Sequence, residues 1–235
     1  MSIRTNPDDD ALTQAVHQMW AARAHSTRGG QHMVPLENLI IDFARRACKG
    51  TPIRFLQSRE ARIPGFYRAR KDWDVVALDG DRLVFAVEMK SQDAKKVGNN
   101  SNNRGEEAIG SAIDLRISYE RGLLGKKLDG AEPWLGYLFI LEEAPETTRS
   151  AQHELTAVFP VDPEYGTRPS YEHRYSILCR RLMETGLYDG ACFMLSSTTP
   201  GTPVTQLDPS SGIDFGSFLE SLGDYLAKYC ANRIG

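Results

Sequence analysis

The sequence predicts an α/β fold in which a mixed β-sheet is flanked by α-helices. Two apolar runs, residues 73–78 and 82–90, are separated only by the Asp-Gly-Asp of residues 79–81, which is typical of an antiparallel hairpin. Two later runs, residues 134–142 and 191–196, are apolar on both faces, which is typical of strands buried inside a sheet. Segments with helical spacing connect these strands, so parallel crossovers are expected to continue the hairpin into a mixed sheet.

Five segments place apolar residues three and four positions apart, which is the spacing of one face of an α-helix. Gly29-Gly30 separates the first segment from the second, and Pro35 suits the first turn of the second. No linker composition interrupts the chain, so we expect one domain over residues 1–235, with its core at about 35–200 and terminal helices packed on that core. The predicted helices cover residues 11–24, 35–48, 105–121, 170–185 and 213–231.

The composition of the 235-residue chain excludes several classes of protein. Its hydrophobic fraction of 41% and charged fraction of 25% are ordinary for a globular protein that buries a sizeable core. No apolar run is long enough to cross a membrane, and the first ten residues lack the apolar centre of a secretory signal. The four cysteines are scattered without metal-ligand spacing, so we expect reduced thiols and a cytoplasmic protein.

The net charge of −3 means that bulk positive charge does not hold this chain to nucleic acid. Basic residues are nevertheless concentrated in two segments. Residues 54–72 contain six basic and two acidic residues, and residues 90–104 contain four basic and one acidic residue. Both segments flank the second strand of the predicted hairpin. They form either two solvated surfaces or the walls of one anion-binding cleft.

The second hairpin strand ends in a candidate site. Because side chains alternate along a strand, Glu88 and Lys90 point to the same side. If residues 79–81 form a three-residue loop, Asp74 lies opposite Ala86 and diagonal to Glu88, about 7–8 Å away. A two-residue loop would put Asp74 on the other face unless a bulge intervened. The alternation predicts one face made by Leu83, Phe85, Val87 and Met89, and another made by Val84, Ala86, Glu88 and Lys90.

Asp74, Glu88 and Lys90 suit a metal-dependent reaction. Two carboxylates, together with water and substrate oxygens, are a typical site for Mg²⁺. A neighbouring lysine can orient or deprotonate a water, or stabilise charge at phosphorus. An aspartate followed on the next strand by Glu-X-Lys is therefore typical of metal-dependent phosphodiester hydrolysis. The tripeptide alone has another interpretation, because an acid and a base on one strand face also form ordinary salt bridges.

An asparagine-rich segment, GNNSNNRGEE, follows this strand. One interpretation is a polar loop whose asparagines tolerate unusual dihedral angles and cap the next helix. The other is a DNA contact, because asparagine and arginine side chains bind adenine and guanine bidentately in the major groove. Glu37, Glu106 and Glu107 are further carboxylates whose part in the site stays open. The candidate DNA-binding residues are Gln92, Asn99, Asn100, Asn102, Asn103 and Arg104.

Four segments together resemble the XhoI family of type II restriction endonucleases, which are PD-(D/E)XK nucleases. In family order, they are EMKSQ, GNNSNNRGEEAIGSAIDL, WLGYLFILEE and YSILCRRLMETGLYDGACFML. The resemblance implies a PD-(D/E)XK nuclease-like mixed sheet and a homodimer that cuts the palindrome CTCGAG with Mg²⁺, leaving 5′-phosphate and 3′-hydroxyl ends. It also implies a companion DNA methyltransferase. Carried over by motif, Asp74 and Glu88 are metal-binding carboxylates and Lys90 is the catalytic lysine, although Trp73 stands where a proline often precedes the aspartate.

The residues and the resemblance lead to one hypothesis. Asp74, Glu88 and the backbone carbonyl of Met89 hold one Mg²⁺, and a water near Lys90 attacks phosphorus in line. The two-fold symmetry of a palindromic site matches that of a homodimer in which each subunit cuts one strand. The modest net charge fits a focused basic cleft. Two alternatives stay open: a nuclease of the same fold with another specificity, and a catalytically silent DNA-binding protein.

Overall fold

The fold is described from a computed structural model that covers residues 7–25, 28–127, 132–207 and 209–233. All five predicted helices are present with shifted ends, and a one-turn helix is added. The helices are α1 (Pro7–His25), α2 (Val34–Ala47), α3 (Val97–Glu120), α4 (Pro145–Thr148), α5 (Tyr171–Glu184) and α6 (Phe215–Arg233). Short 3₁₀ helices cover Arg28–Met33, Ser58–Glu60, Ala94–Lys96, Pro163–Tyr165 and Pro209–Ser211.

Eight strands form two sheets in the described part of the chain. The four predicted strands are present as β4 to β7, whereas the other four were not predicted. Those four contain only two to four residues each, which is too short for a periodic apolar signal. The strands are β1 (Arg54–Gln57), β2 (Arg62–Ile63), β3 (Lys71–Asp72), β4 (Val75–Asp79), β5 (Arg82–Gln92), β6 (Trp134–Glu142), β7 (Gly190–Ser196) and β8 (Thr205–Gln206).

The main sheet has the strand order β1-β4-β5-β6-β7-β8. β4 runs antiparallel to both β1 and β5, whereas β5, β6 and β7 are parallel and β8 returns antiparallel to β7. This arrangement confirms the predicted mixed α/β sheet, in which parallel crossovers continue the hairpin. β2 and β3 pair with each other outside the main sheet. They belong to residues 58–72, hereafter the arm, which leaves the sheet after β1 and returns just before Asp74.

Helices cover both faces of the main sheet. α1, α2 and α6 pack on one face, where Val16, Leu36 and Leu222 are fully buried. α3 and α5 pack on the other, where Ala112 and Tyr175 are buried. Because both faces are covered, β6 and β7 are apolar almost throughout, as predicted. Within the described ranges, no helix has the length and apolarity that a membrane span requires.

The β4–β5 hairpin has a two-residue turn and a bulge. Asp79 pairs with Arg82, so only Gly80 and Asp81 form the loop, and Gly80 adopts a φ of 63° that glycine tolerates. The register then shifts between Ala77 and Leu78. Of the two loop lengths that the sequence left open, the structure has the two-residue loop, together with a bulge. The bulge adds one residue to β5. Beyond the bulge, the side chains of β5 therefore point to the same faces, relative to β4, as they would after a three-residue loop.

The bulge also changes which residues of β5 face each core. Ala77 pairs with Phe85 and Leu78 pairs with Leu83, which leaves Val84 as the extra residue. Val84 lies in the same core as Phe85, whereas Leu83 lies in the opposite core. The predicted faces of Leu83 and Val84 were therefore wrong, because the extra residue reverses the alternation at that point.

Trp134 limits the side chains that β6 and β7 can carry beside it. Gly136 pairs with Gly190, and a Cβ atom added to Gly136 would lie 2.5 Å from Cζ3 of Trp134 and 2.9 Å from Cζ of Phe218. Gly136→Ala is expected to lower the free energy of unfolding by about 1–3 kcal/mol, because buried rings have to move. Chemical denaturation of the two proteins measures this difference.

Gly105→Ala is the matched control for that prediction. A Cβ atom at Gly105 would meet Cδ1 of Leu178 at 3.8 Å, which is ordinary contact, and the residue lies inside α3. This change should stabilise the protein by about 0.5–1 kcal/mol through helix propensity. An equal loss of stability in both variants would contradict the steric explanation.

Candidate active site

Asp74 and Glu88 lie side by side where the arm meets the sheet. Val75 pairs with Val87, and the Asp74 N–H donates to the Val87 carbonyl oxygen at 3.2 Å. Asp74 directly precedes Val75, and the charge of Glu88 acts on Asp74, so the two carboxylates lie near each other. Ala86 pairs with Val76, so Asp74 does not lie opposite Ala86, as a three-residue loop would have placed it. The Met89 N–H donates to Oδ2 of Asp74 at 2.6 Å and fixes that carboxylate.

The Glu88 side chain is only 3% exposed, and it contacts two lysines. Nζ of Lys71 lies 2.5 Å from Oε2, and Nζ of Lys90 forms an ion pair with Oε1. Lys71 also lies over the Trp73 ring, 4.7 Å from its centroid. The salt bridge that was the alternative interpretation of Glu-X-Lys is therefore present. A second lysine, which the sequence did not single out, shares the same carboxylate.

The charges of this cluster shift one another's pKa values. Burial, reinforced by the charge of Glu88, raises the pKa of Asp74 to about 6. Burial opposes ionisation of Glu88, but Lys90 and Lys71 outweigh it and lower the pKa of Glu88. Burial likewise opposes charge on Lys90, but Glu88 and Asp74 raise its pKa above the ordinary lysine value. Lys90 is therefore a cation near neutral pH, which favours charge stabilisation over proton abstraction.

A pocket of about 280 Å³ adjoins Glu88 and Lys90. β5 forms one part of its wall, the arm a second part and α3 a third. Four of the lining side chains are basic and two are acidic, so the pocket attracts an anionic group. The lining residues are Arg68, Lys71, Glu88, Lys90, Arg104, Glu107 and Ser111.

The asparagine segment forms the first turns of α3, which begins at Val97, so the predicted polar loop was wrong. Helical spacing puts Asn100 and Arg104 on one side, one turn apart. Arg104 lines the pocket, and its Nη1 donates to Oε2 of Glu107 at 2.7 Å. Asn100 is therefore one turn from the pocket, on the same side of α3.

The other candidate DNA-binding residues are more dispersed. Oδ1 of Asn102 accepts a hydrogen bond from Arg174 of α5 at 3.2 Å, and Asn103 is exposed. The side chain of Asn99 lies outside the described part of the structure. Gln92 is fully buried, and its Nε2 donates to the Asp93 carbonyl oxygen at 2.8 Å. This burial does not favour a direct contact between Gln92 and a base.

The three further carboxylates differ in their positions. Glu37 is 1% exposed, and its Oε2 has no hydrogen-bond partner among the described residues. Burial, followed by the charge of Asp74, raises the pKa of Glu37 to about 8, so this carboxyl is protonated at neutral pH. Glu107 lines the pocket, whereas Glu106 is exposed outside it. Glu37 thus lies close enough to Asp74 for the charge of Asp74 to raise the pKa of Glu37, although Glu37 does not line the pocket.

A family model described as Restriction endonuclease XhoI matches residues 15–205 of this chain. The chain belongs to the XhoI restriction endonuclease family. The match confirms the resemblance predicted from four sequence segments. It includes both strands of the hairpin, the arm and α3, which together build the pocket.

Several type II restriction enzymes are similar to this chain. The enzyme BstVI of Geobacillus stearothermophilus is 34% identical over 179 residues, which are 74% of this chain and 78% of that enzyme. The enzyme XhoI of Xanthomonas vasicola is 44% identical over 124 residues, covering 53% of this chain and 48% of that enzyme. The enzyme AbrI of Azospirillum brasilense is 44% identical over 87 residues, covering 37% and 38% respectively. No solved structure matches the chain.

In this member of the XhoI family, the side chains fit a cation held by two carboxylates. Asp74 and Glu88 repel each other when both are ionised, which contributes to the raised pKa of Asp74, and a divalent cation would relieve that repulsion. Within the described ranges, no three His, Cys, Asp or Glu side chains are arranged to hold one metal ion. Mg²⁺ suits such a site because it keeps several waters and binds few carboxylates. The Met89 carbonyl as a further ligand stays a prediction.

Sequence reasoning missed the contribution of the arm. Arg68 and Lys71 line the pocket, and both lie in the basic segment that the charge distribution had indicated. Charge alone did not identify them, because the arm folds against α3 through contacts far apart in sequence. Lys71 could have been identified as a candidate from the sequence, because it lies only three residues before Asp74.

Proposed function

We propose that this protein is a type II restriction endonuclease that hydrolyses DNA phosphodiester bonds with Mg²⁺. The observation that carries the proposal is the closeness of Asp74 to Glu88 and Lys90, the last two of which line a basic pocket, in an XhoI-family chain. The expected site is the palindrome CTCGAG, cut to leave 5′-phosphate ends. The same arrangement of Asp74, Glu88 and Lys90 supports assignment of the mixed sheet to the PD-(D/E)XK nuclease fold.

The pocket suits a phosphodiester because its residues supply complementary charge. Asp74 and Glu88 would hold the Mg²⁺, which when bound polarises phosphoryl oxygens and lowers the pKa of a water. Lys90 stays protonated beside both carboxylates and stabilises negative charge that develops at phosphorus. Arg68 and Arg104 line the same pocket and add positive charge where a phosphate would enter.

Two partners follow from this function. A palindromic site is read most simply by a two-fold homodimer, in which each subunit cuts one strand. Asn100 and Arg104, on the pocket side of α3, are the best placed of the proposed base-contacting residues. A companion DNA methyltransferase would protect the host's own sites, and no direct contact with it is implied.

Cleavage of a defined duplex tests this function. Linear DNA that carries one CTCGAG should be cut once in Mg²⁺, and the cut should disappear in EDTA. A duplex with one changed base pair in the site is the matched control, and it should bind about 10- to 100-fold more weakly. The ends should ligate without kinase treatment if they carry 5′-phosphates.

Two outcomes of that experiment would contradict the proposal in different ways. Mg²⁺-dependent cutting at another fixed sequence would preserve the chemistry and reject the expected site. Binding to DNA without cleavage, by folded protein in Mg²⁺, would favour a catalytically silent DNA-binding protein. In that case the contacts of Glu88 with Lys71 and Lys90 would be an ordinary charge network.

A further inference from the structure

α3 holds the tip of the arm through one buried carboxylate. Oδ1 of Asp114 accepts hydrogen bonds from the backbone N–H groups of Phe66 at 2.8 Å and Tyr67 at 2.7 Å. Oδ2 of the same residue forms an ion pair with Arg68 at 3.0 Å. A Cβ atom at Gly65 would overlap Oδ2, so the close approach requires glycine. The tip is therefore held in a defined position although its side chains face solvent.

Three basic residues of the arm are committed to ion pairs within the protein. These pairs join the arm to itself, to α3 and to β5, so their charge is partly neutralised before any ligand binds. The pairs are Arg62 with Asp72, Arg68 with Asp114, and Lys71 with Glu88.

Two further arginines of the arm, Arg59 and Arg70, are exposed. Neither forms an ion pair with another residue in the described part of the chain, although the charge of Arg70 reaches Asp72 at longer range. Tyr67, between them in sequence, is 68% exposed. The arm thus presents positive charge to solvent on a structure that is anchored at its tip.

These two exposed arginines are neighbours in sequence of one residue that lines the pocket and one that contacts Asp74. Arg70 directly precedes Lys71, which lines the pocket. Arg59 follows Ser58, whose N–H donates to the Asp74 carbonyl oxygen at 3.4 Å. A DNA strand with one phosphate in the pocket would therefore bring neighbouring phosphates close to the arm.

We propose that the arm is a DNA-binding element that contacts the phosphate backbone beside the cut bond through Arg59 and Arg70. This inference rests on the proposed function, because it takes DNA as the substrate of the pocket. The contacts supply affinity without sequence information, since phosphates are the same in every sequence. They also explain how a chain with a net charge of −3 concentrates positive charge where DNA enters.

The salt dependence of DNA binding tests the role of the arm. Arg59→Ala/Arg70→Ala is compared with Arg46→Ala/Lys228→Ala, which removes two exposed charges from α2 and α6 on the other side of the sheet. Binding to a CTCGAG duplex is measured by fluorescence anisotropy in EDTA at several salt concentrations. The slope of the logarithm of the DNA-association constant against the logarithm of the salt concentration should decrease in magnitude by about 2 in the arm variant. This is about 0.9 for each of the two lost phosphate contacts. It should stay unchanged in the control.

The outcomes separate this inference from the proposed function. An unchanged slope in the arm variant, or an equal change in both variants, would overturn the role of the arm even if the wild-type protein cuts DNA. A changed slope in the arm variant alone, with no cleavage by the wild-type protein, would support the arm and reject the nuclease function. A shift in oligomeric mass in the arm variant, without a change of slope, would assign the arm to subunit contact and overturn the inference.

Discussion

Lys90→Ala is expected to lower the rate of single-turnover DNA cleavage by about 10²- to 10⁴-fold, the range for loss of one positioned catalytic group. Lys90 contacts Glu88 and is attracted by Asp74, so its charge lies where both carboxylates converge. DNA binding should change much less, because other basic residues line the pocket. Quenched-flow cleavage at saturating enzyme, together with anisotropy in EDTA, measures the two effects separately.

Lys71→Ala is the matched control for Lys90. It removes the same charge from the same carboxylate, but Lys71 comes from the arm and also lies over the Trp73 ring. We expect a smaller loss of cleavage rate for Lys71→Ala, and partial retention of activity for Lys90→Arg. Equal losses in the two alanine variants would mean that both lysines only neutralise Glu88, and Lys90 would lose its assigned role.

Glu37→Gln is expected to remove a large pH dependence of stability from the metal-free protein. Burial and Asp74 raise the pKa of Glu37 to about 8 from an ordinary value of 4.5. The folded protein therefore binds this proton more tightly than the unfolded chain, so the stabilisation is complete below pH 4.5 and is lost as the pH rises through 8. Between about pH 6 and pH 8 the wild-type protein should lose about 2 kcal/mol through this group.

Denaturation in EDTA at about pH 6 and pH 8 checks the role of Glu37. The wild-type protein should lose stability over this interval, whereas Glu37→Gln should lose about 2 kcal/mol less. Glu106→Gln is the matched control, because Glu106 is exposed and should leave the pH dependence unchanged. Parallel pH profiles for the wild-type protein and Glu37→Gln would show that Glu37 is not protonated in the folded state.

The long elements could be predicted from the sequence because their periodic signal extends over many residues. β6 was predicted with its observed ends, since its apolar run is continuous up to the terminal glutamate. The arm could not be predicted, because β2 and β3 have two residues each and depend on Asp114 from α3. The asparagine segment has weak helix propensity and formed part of α3 nevertheless, with Asn102 bonded to Arg174 of α5.

The sequence by itself determined the fold class, the family and the three candidate residues Asp74, Glu88 and Lys90. These follow from apolar periodicity and from motifs whose members lie near one another along the chain. Only the tertiary structure decided that Asp74 lies near Glu88, because a two-residue turn and a bulge together set the register of β4 against β5. It also decided that Lys71 shares Glu88 and that Glu37 is buried near Asp74, since both depend on packing between segments that are distant in sequence.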